Sequence, residues 1–423
     1  MIDLKSQNLP PVSQTGPLSG FRVIDLTVAL AGPYCTLLLG GMGAEIIKIE
    51  APGGSDISRN NPPFIGKEGL NYGKRGPDDL SVSTLDRQRN KKSVTLDLKT
   101  EQGRTLFYDL IKHADVLVEN FSEGTTQRLG ISYETLRELH PGLVYASISA
   151  FGANDSHVGI KGMDIIVQAL SGVMEINGFA DSPPCRVGLP IADLTAPHYA
   201  LSGILAALLH RSKTGLGQHV EVNMLDSLAA LLAVEHVDLM YEPGVPPRSG
   251  NHHDRLTPFG VYPSRDGYVA IAASIDLWAH DLFRAMGRQD LVTDPRSATR
   301  GARSVHAAQI NQWIEEWTCV LSSEDIVQQL TARSVAAVPV KTPHEVLNDP
   351  AMLARGAIMP LRHPSIPSSV NTVAPGLPIH FSACKTGYDR YAEALGQSND
   401  EIYADLLQLS PETIQKLKNQ SII

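Results

Sequence analysis

Cysteine is scarce in this chain and scattered where it occurs: Cys35, Cys185, Cys319 and Cys384 are the four in 423 residues. That spacing supports neither a disulfide framework nor a metal site, and it reads as reduced thiols in a cytoplasmic protein. No apolar run reaches the length of a membrane span. The first twenty residues, with Asp3, Pro10, Pro11 and Pro17, lack the apolar core of a secretory signal. Long basic blocks are missing too, and with a formal charge of -9 this argues against a nucleic-acid surface. Positive charge does gather between Arg87 and Lys92, where it could meet an anionic small molecule.

What is present is ordinary for a soluble globular protein: 43% hydrophobic and 19% charged residues, enough to bury a large core. The length calls for two or three domains. The segment Phe21 to Leu26 reads as a strand, Tyr34 to Leu39 as a helix ended by Gly40, Gly41 and Gly43, and Ala44 to Glu50 as a second strand. Such β-α-β units predict a parallel sheet covered on both faces. Glu50 could hold a ribose, but the glycine fingerprint of a dinucleotide fold is absent from Thr27 to Gly32, so NAD binding is disfavoured.

Residues 51–89, rich in Gly, Pro, Asp and Ser, read as a long surface loop. Strands follow at Asn90 to Lys99, Asp115 to Phe121, Leu143 to Ser149 and Gly217 to Met224. Helices begin after Thr100, after Ser132 and at Asp164, and one runs from Leu225 toward Tyr241. Pro243 to Pro247 looks like a linker. Beyond it a hairpin is expected around Asp266-Gly267, then helical segments to about Leu330, then irregular chain from Ala336 to a last helix after Ser410.

Asp193 lies in Gly188-Leu189-Pro190-Ile191-Ala192-Asp193-Leu194-Thr195-Ala196-Pro197, just before an apolar run, Tyr199 to Leu209, that fits a buried helix. On its own this acid reads as a helix cap. His198, His252 and His253 show no metal-ligand spacing, so no metal site is expected.

Taken together, LAGP at Leu30 to Pro33, GAEIIKIE at Gly43 to Glu50, RNKKSVTLDLK at Arg89 to Lys99 and VENF at Val118 to Phe121 form the first part of a pattern. RLG at Arg128 to Gly130, GMDIIVQALSG at Gly162 to Gly172, the Asp193 segment and KTGLGQHVEVNML at Lys213 to Leu225 complete it. In this order the set resembles the class III coenzyme A transferases, a family that includes formyl-CoA transferase, carnitine CoA-transferases and α-methylacyl-CoA racemase.

The resemblance implies a Rossmann-like large α/β domain (residues 1–242 and 343–423), a smaller α+β domain (248–342) and an interlocked homodimer. It implies Asp193 as nucleophile, passing through aspartyl anhydride and aspartyl-CoA thioester intermediates, with a CoA thioester as substrate and no prosthetic group. The helix N-terminus would keep Asp193 anionic while lowering its nucleophilicity. Asp164 is assigned a supporting role, with helix capping as the alternative. Gly250 and Asn251, in the loop Ser249 to His252, would help stabilise the oxyanion. CoA contacts carried over by position are Ala29, Leu30, Ala31, Leu96, Lys99, Asn120, Phe121, Thr125, Arg128 and Lys161. Arg186 could hold a second substrate carboxylate.

Leu30 replaces a glutamine of formyl-CoA transferase, which argues against that substrate pair. Met163 stands where the racemase branch carries a basic histidine, and a thioether accepts no proton at neutral pH. The expected activity is CoA transfer from an acyl-CoA, succinyl-CoA being a plausible donor, to a small carboxylic acid. An acyl-CoA racemase and a non-catalytic CoA-binding protein are the alternatives.

Overall fold

In a computed structural model the described residues are 15–76, 78–152, 157, 159–241, 248–367, 370 and 372–423. Most of the expected N-terminal arm and the expected linker at Pro243 to Pro247 lie outside them. The chain forms two compact units, one of residues 1–171, 188–231 and 349–423 and the other of 172–187 and 232–348. The division departs from the expected boundaries in giving 172–187, 232–242 and 343–348 to the second unit.

The first unit is built on six parallel strands: β1 (Arg22–Asp25), β2 (Glu45–Glu50), β3 (Lys91–Thr95), β4 (Val116–Glu119), β5 (Val144–Ser149) and β6 (His219–Asn223). Their spatial order is β3-β2-β1-β4-β5-β6, the doubly wound order with its reversal between β1 and β4. Val23, Ile24, Ile46, Ile47, Val116 and Leu117 are buried whichever way they point, as continuous apolar runs in a two-sided parallel sheet must be.

Seven helices of this unit bear on the site: α1 (Ala31–Gly41), α2 (Val82–Arg87), α3 (Glu101–Ile111), α4 (Thr125–Leu129), α5 (Tyr133–Leu139), α6 (Asp164–Leu170) and α7 (Ile191–Thr214). Thr100 and Ser132 cap α3 and α5 by accepting from Gly103 N–H and Thr135 N–H, as their side chains predict. On one face of the sheet Phe107, Leu110 and Leu136 pack with Tyr403, Ile414 and Leu417 from the end of the chain. The C-terminal segment also covers the exposed edge of β3. Ser93 N–H donates to Glu393 at 2.7 Å, Thr95 N–H to Asn399 at 2.8 Å, and Tyr403 Oη donates to the Thr95 carbonyl at 2.7 Å. An edge so covered cannot pair with another chain.

Four expectations about the first unit need correction. Gly40 and Gly41 lie inside α1, and a side chain on Gly41 would come within 2.7 Å of the Tyr388 ring; close packing, not termination, requires glycine there. Residues 51–89 hold an antiparallel three-stranded sheet (Phe64–Gly66, Gly69–Asn71, Leu80–Ser81) and α2. Ile65 and Leu85 bury against Leu361, Ala374 and Ala392, partners about 300 residues away that no local pattern announces. The helix carrying Asp193 begins at Ile191, because Pro197 is accommodated as its seventh residue. Finally, α7 is long and apolar enough to cross a membrane by length and composition, yet it packs against α1, β5 and β6 with Ala200, Ile204 and Ala207 fully buried.

The second unit contains an antiparallel sheet of Phe259–Ser264, Gly267–Ala272 and Ala336–Pro339. The hairpin turns at Asp266 as expected, whereas 336–339 is its third strand and not irregular chain. Helices Asp276–Ala285, Ala307–Thr318 and Ser323–Thr331 supply Phe283, Ile310, Ile314 and Leu330 to a core with Tyr262 and Ile271. The helix expected from Leu225 to Tyr241 is broken by His236, whose φ is 51°, into Met224–Val234 and Val237–Tyr241.

Candidate active site

Parallel strands deliver their C-terminal ends to one edge, and in a doubly wound sheet the crevice opens where the strand order reverses. Here that is the gap between β1 and β4. The chain leaves β1 through Val28 to Ala31, and Asn120 follows β4. Asn120 Oδ1 accepts from Val28 N–H at 2.8 Å while its Nδ2 donates to the Val28 carbonyl at 2.9 Å. The amide thus bridges the crevice floor.

Ala29 sits next to this bridge with φ 66°, a left-handed conformation that an L-residue holds only when its surroundings fix it. Its N–H donates to Asp56 Oδ1 at 3.0 Å and its carbonyl accepts from Arg87 Nη1 at 2.9 Å. Below it lies a buried ionic network. Lys91 Nζ meets Asp25 at 3.0 Å, and Lys48 Nζ meets Asp25 at 3.6 Å and Asp56 at 3.8 Å. Burial alone would raise the Asp25 carboxyl; Lys48, Lys91 and hydrogen bonds from Thr27 and Thr36 hold it well below the usual carboxylate range. Glu50 takes no part in a ribose site, because Arg59 grips both its oxygens at 2.5–3.1 Å.

Asp193 is the third residue of α7, and Pro190, at the cap position, has no side-chain acceptor. The cap is supplied from elsewhere: Asp164, the first residue of α6, accepts Ala192 N–H on Oδ1 at 2.8 Å and Gln168 Nε2 on Oδ2 at 2.7 Å. Among the described residues no hydrogen bond holds the Asp193 carboxylate. Pro197, four residues on, lacks the N–H that would bond the Asp193 carbonyl. Burial, and next the Asp164 charge, push Asp193 up from 3.8 to about 6, against the opposing pull of Arg87. At pH 7 the anion still outnumbers the acid about ten to one. Burial and the Asp164 charge thus give the carboxylate added basicity while leaving it mostly ionised at neutral pH, as expected of a nucleophile. His198, one turn further along α7, meets Tyr34 of α1 edge to face, with ring centroids 5.6 Å apart.

The first unit brings Asp193, Asp164, Arg87 and the Ala29 turn into one electrostatic neighbourhood. Ala29, Leu30, Ala31, Leu96, Lys99, Asn120, Phe121, Thr125 and Arg128 all follow the C-terminal ends of β1, β3 and β4. Their side chains are not equally available. Leu96 is 1% exposed and belongs to the core, so it can offer a ligand only its backbone. The Asn120 amide is engaged with Val28, and Phe121 packs on the core. Lys99, Arg128 and Lys161 are exposed, and Arg128 Nη2 donates to Thr125 Oγ1 at 2.8 Å.

Gly250, Asn251 and Arg186 belong to the second unit. Gly250 has φ 61°, donates its N–H to the Gly178 carbonyl at 2.9 Å, and would drive a side chain to 2.5 Å from the Phe179 ring. Asn251 and Arg186 are exposed. Three contributors escaped the sequence reading: Arg87 as an individual, Gln168, and the Asp25-Lys48-Lys91-Asp56 network. The basic run from Arg87 to Lys92 was the available signal for the first and for Lys91. For Gln168 there was none, since one glutamine on a short helix carries no pattern.

Comparison with known proteins supplies the remaining observations. The family model described as CoA-transferase family III matches residues 18–399. A succinyl-CoA:mesaconate CoA-transferase of Haloarcula hispanica is 39% identical over 372 residues, covering 87% of this chain and 90% of that one. A succinate-glutarate CoA-transferase of Agrobacterium fabrum is 35% identical over 404 residues, covering 95% and 97%. Among solved structures, a CAIB/BAIF family protein from Brucella suis superposes with a TM-score of 0.78 at 32% identity, over 93% of this chain and 100% of that one.

Proposed function

The chain belongs to CoA-transferase family III, and from that premise we propose that this CoA-transferase moves CoA from a short dicarboxylic acyl-CoA, succinyl-CoA foremost, to a small carboxylic acid, with Asp193 as nucleophile. The observation that carries the reading is a half-buried carboxylate without a hydrogen bond among the described residues, raised to about 6, at the start of a helix whose cap is provided by Asp164. A structural acid would be tied down. This one is kept free, ionised at neutral pH and basic enough to attack.

In the proposed sequence an Asp193 oxygen attacks the thioester carbonyl, the C–S bond breaks, and a mixed anhydride forms as CoA thiolate leaves. The thiolate then attacks the Asp193 carbonyl carbon, expelling the donor as its free carboxylate and leaving an aspartyl-CoA thioester. The acceptor carboxylate attacks the same carbon, releasing thiolate and giving a second anhydride. Thiolate finally attacks the acceptor's carbonyl, and Asp193 is regenerated. Each intermediate remains covalent on one side chain, so positioning supplies much of the rate.

The CoA moiety is assigned to the crevice between β1 and β4, where Ala29, Leu30 and Ala31 offer backbone groups and Lys99, Arg128 and Lys161 offer charge to phosphates. Gly250 and Asn251 are assigned to the oxyanion, and the enzyme to an interlocked homodimer in the cytoplasm that needs no prosthetic group. Succinate enters because relatives from two organisms carry it in their names.

The test is mass-spectrometric: incubate the protein with succinyl-CoA and a panel of acids, follow new acyl-CoA species, and run Asp193→Ala in parallel. Transfer by the wild type with loss of at least about four orders of magnitude in the variant is the expected result. Transfer persisting in Asp193→Ala removes the nucleophile assignment. Exchange of an α-hydrogen on a chiral 2-methylacyl-CoA, with no transfer to any acid, would replace this reading by a racemase.

A further inference from the structure

The basic run from Arg87 to Lys92 separates in three dimensions. Arg89 pairs with Asp86 at 2.8 Å and lies 4.5 Å over the Tyr388 ring. Lys91 pairs with buried Asp25 at 3.0 Å. Lys92 pairs with Glu45 at 2.6 Å and Glu401 at 2.7 Å. Arg87, at the end of α2, has no ion-pair partner at contact distance among the described residues. Its side chain makes one hydrogen bond, Nη1 to the Ala29 carbonyl, and it is partly buried.

The acids that act on Arg87 electrostatically are Asp86, Asp56 and Asp193, and none can be its permanent partner. Asp86 is held by Arg89. Asp56 is saturated by Ala29 N–H, Ser58 N–H and Gln88 Nε2 at 2.9–3.0 Å. Asp193 has to remain free to react. A guanidinium carries five N–H donors in a planar fork that matches a carboxylate, and leaving such a group partly desolvated without a counter-ion is costly. The arrangement is a cation held ready beside the nucleophile.

Resting on the transferase reading above, we propose that Arg87 binds the carboxylate of the free acid substrate and presents one of its oxygens to the Asp193 carbonyl carbon. When the acceptor arrives Asp193 is a neutral thioester, and Asp164 is the acid that still opposes an incoming anion. Arg87 offsets that repulsion through bidentate hydrogen bonds. The reacting carbonyl of an acyl-CoA is uncharged and has no comparable need of it, so Arg87 discriminates between the reacting groups of the two substrates, the distal carboxylate of succinyl-CoA being a separate charge.

The experiment is steady-state kinetics at pH 8, above the titration of Asp193, on wild type, Arg87→Gln and Arg87→Lys, with succinyl-CoA and the best acceptor acid. Intact-protein mass spectra after mixing with succinyl-CoA alone would follow the aspartyl-CoA thioester. In Arg87→Gln the KM for the acid should rise at least about tenfold, the KM for acyl-CoA should stay within about twofold, and thioester formation should persist. Arg87→Lys, which keeps the charge but loses the fork, should recover part of the loss. Equal changes in both KM values, or an unchanged KM for the acid, overturn the assignment. Absence of the thioester in wild type would instead fell the transferase reading, and this assignment with it.

Discussion

The free carboxylate of Asp193 makes the pH dependence of the first half-reaction a direct probe of the site. If the anion is the attacking form, kcat/KM for the acyl-CoA follows its ionised fraction in the free enzyme. With Asp193 at about 6, roughly nine-tenths of the limiting value should remain at pH 7 and about one-tenth at pH 5. Asp164→Asn removes the like charge and should move this acid limb downward. It should not fall to the ordinary 3.8, because burial is the larger cause of the elevation and stays in place. Arg87→Gln removes the opposing cation and should move the limb upward.

The substitution at Asp164 has one local cost that can be worked out. Asn Oδ1 can still accept Ala192 N–H, but its Nδ2 would face Gln168 Nε2, two donors nose to nose. Rotating the Gln168 amide resolves this and gives up its 3.3 Å contact with the Leu189 carbonyl, a loss of about 1 kcal/mol. The variant should therefore fold with a slightly lower melting temperature, and its pH profile remains readable. The assay is stopped-flow detection of free thiol between pH 4.5 and 8.5. A wild-type rate that is flat to pH 5, or acid limbs that coincide in wild type and Asp164→Asn, would refute this account of the nucleophile.

Asp193→Asn should be the more stable protein at pH 7.5. Raising a carboxyl from 3.8 to about 6 costs the folded state up to about 3 kcal/mol once the group is ionised. The advantage should be full above pH 6, shrink as pH falls, and vanish below 3.8, as urea midpoints at pH 7.5 and 4 would show. Asn120→Ala strips both Val28 backbone groups of their partner and should cost about 1–3 kcal/mol, with a raised KM for acyl-CoA. Lys91→Met leaves the buried Asp25 carboxylate with a single, longer ion pair to Lys48 and should cost about 3–5 kcal/mol, measurable by thermal melting. Gly250→Ala would force a side chain onto Phe179 in a left-handed turn; loss of kcat with intact CoA binding by calorimetry is expected, and full activity would detach this loop from catalysis.

Much of the sheet was legible because parallel strands announce themselves as short apolar runs between capped helices. Thr100, Ser132 and Ser410 marked helix starts by one rule, the demand for a side-chain acceptor at the cap. What stayed hidden depended on distant partners. Ile65 and Leu85 look like stray apolar residues in a polar loop until Leu361 and Ala392 are set against them. Gly41 looks like a stop signal until Tyr388 lies across it. Pro197 looks like the residue before a helix, because its penalty inside one is known locally while the packing of Ala200, Ile204 and Ala207 that outweighs it is not.

The same division runs through the site. An Asp ahead of an apolar helix is equally consistent with a cap and with a nucleophile, and no inspection of residues 188–209 separates the two. What separates them is which acid takes the Ala192 N–H, and that acid is Asp164, 28 residues earlier. By capping α7 from a neighbouring helix, Asp164 frees Asp193 from the role its position suggests and, through its own charge, contributes to raising it. Arg87 limits how far that elevation goes. Nucleophile, cap and counter-charge thus sit on three helices, and their balance depends on burial and distance, which a linear chain does not display. The residue types were readable as chemistry; the assignment of roles among two acids and one arginine required the fold.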